Sequence, residues 1–464
     1  MFETASEQAR RIRDKEISAS ELLALHIARI EHENPRLNAI VTLDLQRATE
    51  RARTLDAALM RGELVGPLHG VPFTLKDCHR TAGVRTTVGA PQFQHHVPDR
   101  DGSVTRRLLA AGAILVGKTN VPPMLMSAQT NNPIFGRSNN PWNVERTTGG
   151  SSGGAGAAVA AGLVPFDIGS DMSGSIRMPA SFCGIFGLKP SVHRVPLTGH
   201  IPPPPGVPRP DRVLGVVGPM ARSVEDLELL MSVLSGPDGE DVEVPPVPWT
   251  RAEQREARSL RLAWLPVFPD VPTSAAVKAE TGRVAAALTE TGATLVEREP
   301  GFALGAMNDV WREYFRLGSG VFMELAGAKL PVEAPDAKRA SPTDWVRVHD
   351  QRDRLVSELE RLLEEFDAFL CPTTITTAFP HSAPRSPIPV DGVEVESRFV
   401  DHYLYPWNLT GHPALAIPTG IAEDGLPLSV QLIGRRWGDE RLLAVGRALA
   451  EVTGGLRSPP VQPP

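Results

Sequence analysis

Twice in succession this chain runs from a helix into an apolar strand. "VTRRLLAAGAILVGKT" does so over residues 104–119, and "GAGAAVAAGLVPFDIGSD" repeats the order over 154–171 with small residues on the helix. The alternation resumes late, with strands at 414–418 and 427–434 and a helix over 440–452. Strands alternating with helices define an α/β protein with a largely covered sheet. Around this frame, Ser18 and Glu21 form a capping box for a helix that stops at Pro35. Residues 38–43 read as a strand, and 46–61 as a helix ended by Gly62. Two long helical stretches, 275–291 and 343–366, fill the middle third. Because the α/β style returns after them, the chain reads as one domain over 1–464. Within it, 60–235 holds the candidate chemistry, 240–400 is a variable insertion shaping the pocket, and 405–455 returns core strands and a helix. The stretch "IPPPPGVPRP", residues 201–210, reads as a rigid surface loop.

The composition excludes several function classes. A net charge of −6, well mixed along 464 residues, leaves no nucleic-acid or membrane-surface footprint. No apolar run reaches the roughly 18 residues of a membrane span, and the N-terminus lacks the apolar core of a leader, so a cytoplasmic location is expected. Three widely separated cysteines, Cys78, Cys183 and Cys371, offer neither a disulfide framework nor metal-ligand spacing. His95 and His96 lack thiol or acidic partners at ligand spacing, so no metal is expected.

Three stretches carry the candidate chemistry. "GVPFTLKD", residues 70–77, ends an interior-looking strand with Lys76, and burial lowers a lysine pKa. "TTGGSSGGAGAAVAAG", residues 147–162, is a Gly/Ser loop opening a helix. "DIGSDMSGSIRMP", residues 167–179, packs glycines and serines behind an apolar strand. The second stretch fails as a phosphate loop, having neither a Walker-type Lys-Ser/Thr nor GxGxxG after a strand. It matches GxSxG on Ser151 and on Ser152, but the polar segment before it is no strand, and its histidine would have to be His412. A neutral, desolvated Lys76 acting on Ser151, and through it on Ser175, fits all three stretches. Met172, Ser173, Gly174 and Ser175 lie on a tight turn whose N–H groups can converge on one oxyanion. Gly174 removes a side chain that would block the approach.

These stretches resemble the amidase signature family. Its G-x-P-x-x-x-K-D pattern matches Gly70 to Asp77, its G-G-S-S-G-G matches 149–154, and its G-[ST]-D-x-G-G-S-[IV]-R matches 169–177. The segments 180–191, 217–227 and 408–420 follow the family as well. The resemblance implies a large mixed β-sheet core covered by helices. It makes Lys76 the base, Ser151 the serine after a cis peptide bond and Ser175 the nucleophile. Asp171 and Arg177 become a buried pair fixing the loop, with Ser152 in support. The implied activity is acyl-enzyme hydrolysis of C–N bonds in amides, extending to carbamates, anilides and esters, with no metal or organic cofactor.

Two departures bear on the site. Ser173 stands where the family usually has Gly, which requires a negative φ there. In "TNVPPMLMS", residues 119–127, Pro123 replaces the usual Glu. That exchange removes a charge and leaves Met124 and Met126, with Gln129, as the expected lining for a neutral, apolar small-molecule substrate. No nucleic-acid or membrane partner is expected. The glutaminase subunit of a tRNA amidotransferase, a GxSxG esterase and an inactive binding homologue remain as alternatives.

Overall fold

The computed structural model describes residues 2–201, 214–299, 303–325, 341–455 and 458–459. The proline-rich stretch lies outside the described residues beyond Ile201. Eleven strands form one mixed sheet. In chain order they are β1 (Ile40–Leu43), β2 (Pro72–Lys76), β3 (Ile114–Thr119), β4 (Phe166–Asp171), β5 (Phe186–Lys189) and β6 (Val216–Ala221). There follow β7 (Arg261–Trp264), β8 (Thr294–Glu297), β9 (Ala368–Pro372), β10 (Ala414–Ile421) and β11 (Pro427–Ile433). Their order in space is β1-β3-β2-β4-β6-β5-β10-β11-β9-β7-β8. The middle third thus adds β7, β8 and β9 to one edge of the same sheet.

The route around β2 places the site. β2 is parallel to both its neighbours, β3 and β4. The helix Ser103–Ala110, between β2 and β3, packs Val104 and Leu108 into one core cluster together with Leu115. The helix Gly153–Ala160, between β3 and β4, packs its alanines into another with Ile114 and Val116. Ile114 and Leu115 are adjacent on β3, and successive strand residues point to opposite faces. The chain therefore leaves β2 over one face and returns over the other. Such a switch point opens a crevice at the carboxyl ends of the strands, where open α/β sheets take ligands. Lys76 ends β2 and Asp171 ends β4.

The small-residue helix is buried along all eight residues. A Cβ on Gly154 would sit 2.3 Å from the Asn120 backbone nitrogen and 2.7 Å from the Ala39 carbonyl oxygen. Close backbone approach, not flexibility, explains this composition. The capping box at Ser18 and Glu21 forms, but its helix continues through Pro35 to Leu37. Proline in the last turn loses one N–H bond, and Asn38, at φ 49°, makes the stop instead. The helix Leu304–Leu325 adds an element beyond those expected, with Leu304, Met307, Trp311, Tyr314 and Leu317 buried at helical spacing. All three cysteines are buried and free. Among the described residues, no helix is long and apolar enough to cross a membrane. None of their His, Cys, Asp or Glu clusters could hold a metal ion.

Two glycines should respond oppositely to alanine. Gly154→Ala forces backbone apart in a packed layer and should cost about 3 kcal/mol. At Gly282, inside the helix Ala275–Glu290, an added Cβ would meet nothing within 4 Å, and Gly282→Ala should gain about 0.5–1 kcal/mol from helix propensity. Urea unfolding of the two variants checks both signs.

Candidate active site

Lys76 is fully buried, and its Nζ meets three oxygens. It lies 2.8 Å from Ser151 Oγ, 2.9 Å from Ser170 Oγ and 3.2 Å from the Ser170 carbonyl oxygen. A neutral amine has two N–H groups and one lone pair. The two N–H groups suit the two oxygens of Ser170, which leaves the lone pair for the Ser151 hydroxyl. Burial pushes Lys76 down to about 8, against the upward pull of Cys78, Asp171 and Asp167. Ser170 was absent from the sequence-derived site. Its signal was its place just before Asp171, at the end of the strand beside β2.

Two residues before Lys76 along β2, the three strands are clamped together. Asp167 on β4 accepts from Thr74 Oγ1 on β2 (2.6 Å) and Thr119 Oγ1 on β3 (3.0 Å). Burial raises this carboxyl to about 7, with the two threonine hydroxyls pulling it back. Ser151 follows a cis peptide bond from Gly150. Gly150 sits beneath the 127–129 strap, where a Cβ would fall 2.4 Å from the Ser127 carbonyl oxygen.

Ser152 is fully buried; its N–H donates to the Ser175 carbonyl (3.1 Å) and its hydroxyl to the Ser170 carbonyl (3.4 Å). These bonds bring the second and third stretches together. Ser175 itself is partly exposed, and its hydroxyl makes no hydrogen bond among the described residues.

Asp171 and Arg177 shape the loop between β4 and Ser175. Arg177 Nε and Nη2 donate to the two Asp171 carboxylate oxygens at 3.1 Å each. Burial alone would raise Asp171, but the Arg177 guanidinium and backbone donors hold it down at about 2. One of those carboxylate oxygens also takes the Gly174 N–H at 2.7 Å. Gly174 therefore departs from the expected oxyanion set, because its N–H is committed to Asp171. The N–H groups of Met172, Ser173 and Ser175 make no bond among the described residues. The positive φ of the turn, 113°, falls on Gly174, where a Cβ would strike Leu404 at 2.2 Å. Ser173 keeps a negative φ, as its side chain requires.

Aromatic residues back this loop. Met172 packs against a cluster containing Leu214, Trp311 and Tyr405. Trp311 Nε1 donates to the Met172 carbonyl (3.3 Å) while its ring stacks on Tyr405 with centroids 4.3 Å apart. Trp311 comes from the helix Leu304–Leu325 in the variable middle third, where no sequence motif marked it. The aromatic stretch 399–412 divides between roles. Tyr403 and Trp407 are core, and Tyr405 faces the cluster behind Met172.

The three side chains expected to line the substrate stand in different surroundings. Gln129 donates to the Ser382 carbonyl and hydroxyl (3.1 and 3.0 Å) and accepts from the Ser382 N–H (3.1 Å). Its amide ties the strap to a distant loop and does not stand free to line a pocket. Met126 is 49% exposed, whereas Met124 packs with Val88, Ala90 and Ile201. His412, needed by the esterase alternative, is fully buried with Nε2 3.1 Å from Glu360. Among the described residues no histidine bonds Ser151 or Ser152, and the segment entering Ser151 is no strand.

The fold and its relatives define an α/β amide hydrolase. The Amidase family model matches residues 21–347 and 336–443. An acylamidase from Rhodococcus erythropolis is 31% identical over 456 residues, 95% of this chain and 93% of its own. A glutamyl-tRNA(Gln) amidotransferase subunit from Thermosynechococcus vestitus is 32% identical over 474 residues, 95% of each chain. Among solved structures, a bacterial aryl acylamidase of the amidase signature family superposes with a TM-score of 0.85 at 27% identity. That match covers 97% of this chain and 96% of the other. This chain belongs to the amidase signature family. Because a tRNA amidotransferase component is among its relatives, a net charge of −6 does not exclude an assembly that handles nucleic acid.

The Lys76 environment sets an expected pH response. Neutral amine is the competent form of a base, so activity should rise with pH and level off above about 8. Below that, each pH unit should lower the rate about tenfold, in step with the neutral fraction. Lys76→Ala should lose about 10²–10⁴ in rate and abolish this limb. His412→Ala should leave the limb in place, because burial already holds His412 down at about 4. Initial rates from pH 6 to 10 provide the check.

Proposed function

We propose that this amide hydrolase works through an acyl-enzyme on Ser175, with Ser151 and Lys76 carrying the proton. The observation behind this reading is the buried 2.8 Å contact between Lys76 Nζ and Ser151 Oγ, beside a Ser175 hydroxyl left open. In the first half-reaction the Ser175 oxygen bonds to the acyl carbon and its proton passes by Ser151 to Lys76. The carbonyl oxygen becomes an oxyanion held by the N–H groups of Met172, Ser173 and Ser175. The C–N bond then breaks, and the proton returns along the same path to the leaving amine. Water attacks the ester, gives its proton to the relay, and Ser175 leaves with that proton restored.

The substrate is proposed to be a neutral amide with an aryl or alkyl group. The apolar surroundings of Met124 and of the Met172 loop support this, as does likeness to acylamidases. Carbamates and esters present the same carbonyl to the same donors and are proposed as further substrates. The relationship to an amidotransferase component keeps one second reading, that of a glutaminase feeding ammonia to a partner.

Ser175→Ala should lose both hydrolysis and labelling by a fluorophosphonate while melting like the parent. Label appearing on Ser151 or Ser152 in that variant would favour the esterase reading. Across anilides, primary amides, carbamates and glutamine, simple anilides should turn over fastest. Glutamine turning over faster than any anilide would favour the glutaminase.

A further inference from the structure

The loop between β4 and Ser175 is gripped at two points by groups of different origin. From within, Asp171 takes the Gly174 N–H at 2.7 Å. From outside, Trp311 Nε1–H donates to the Met172 carbonyl at 3.3 Å. The Met172 carbonyl and the Ser173 N–H belong to one planar peptide unit and point in opposite directions across it. Fixing the carbonyl therefore fixes where the Ser173 N–H aims. A hydrogen bond at the carbonyl also polarises the unit and strengthens the donor at its other end.

Trp311 is itself held. It is buried, stacked between Tyr405 (4.3 Å, 13°) and Phe315 (5.1 Å, 6°). The residue before Tyr405, Leu404, gives its carbonyl to Arg177 Nη2 (3.0 Å), which also donates to Asn408 Oδ1 (2.7 Å). Asn408 returns a bond to the Asp171 carbonyl (3.1 Å). The indole thus rests on the same buried framework that sets the inner grip, and both grips share one reference frame.

We propose that Trp311 is a positioning residue for the oxyanion site, its indole N–H orienting the Met172–Ser173 peptide from the variable middle third. This rests on the reading that the Met172, Ser173 and Ser175 N–H groups receive the oxyanion of a Ser175 adduct. Through this contact, the segment expected to select substrate also sets the rate of the chemical step. A preorganised donor acts on the transition state more than on the ground state. Loss of the indole donor should therefore lower the maximal rate and leave half-saturation nearly unchanged.

The test measures the rate of Ser175 labelling by an aryl fluorophosphonate, corrected for active sites, against reagent concentration. Trp311→Phe keeps an aromatic ring between Tyr405 and Phe315 but removes the donor. Its limiting labelling rate should fall about tenfold, a fraction of what loss of a whole oxyanion donor costs, with the half-saturating concentration within twofold of the parent. Leu317→Ala, which disturbs packing elsewhere on the same helix and spares the indole and both rings it stacks on, should label within twofold of the parental rate. If Trp311→Phe shows no cooperative melt, 3-benzothienylalanine at position 311 replaces the ring N–H with sulfur at constant shape, and the same tenfold loss is expected. A donor-less variant labelling at the parental rate overturns the proposal, as does an equal loss in Leu317→Ala. Ser175→Ala run alongside separates the two levels. Persistent labelling there sinks the acyl-enzyme reading, whereas loss of label there with a fast Trp311→Phe sinks only the role of Trp311.

Discussion

Asp171 and Arg177 face each other with no exposure to water, and the site is built on the way each satisfies the other. Two buried charges repay their desolvation only when nearly every donor and acceptor is used. Arg177 meets that demand by reaching Gln431 on β11, the Leu404 carbonyl and Asn408 as well as Asp171. Asp171 meets it by gathering the N–H groups of Gly174, Ile176 and Arg177. The pair therefore ties the end of β4, the loop carrying Ser175, and a segment more than two hundred residues downstream. Removing one member would strand a charge in the interior, at a cost of about 3–5 kcal/mol. The motif after residue 405 is thus part of the site's foundation, although it supplies no group to the proposed relay.

Burial acts twice at this switch point, with opposite consequences. At Lys76 it favours the uncharged amine, and Ser170 offers the two acceptors that an amine can use without becoming an ammonium. At Asp167 it favours the uncharged acid, moderated by two threonine hydroxyls that lock β2, β3 and β4 in register. Neither group could be tuned so in a solvated loop. The helix Gly153–Ala160, almost wholly glycine and alanine, contributes by letting backbone close over the strands with little side chain between them.

How much of this was readable beforehand depends on where each residue's partner lies. Lys76, Ser151, Ser175, Asp171 and Arg177 stand in short motifs whose spacing is stated by the chain itself, and alternation of strand and helix gave the fold class. Local signals also located the helices Ala275–Glu290 and Pro342–Glu365 to within about a residue or two. The bonds of Gln129 could not be read from the chain because its partner, Ser382, is 253 residues away. Trp311 was invisible for a related reason. An indole N–H finds a carbonyl only after β4 and the helix Leu304–Leu325 have been brought side by side. At Pro35 a local rule failed outright, since a helix's last turn tolerates what its middle does not.

An amine with no exposed surface has no direct exchange with bulk water. In the proposed relay, its one outlet runs past Ser151 to Ser175, and a bound acyl group caps that outlet. The hydrogen lifted from the nucleophile is then stored inside the protein for the lifetime of the tetrahedral species. It reaches the departing nitrogen before it can equilibrate with solvent. Within each half-reaction the protein interior, not the surrounding buffer, is thereby the immediate source of the proton that the departing nitrogen receives.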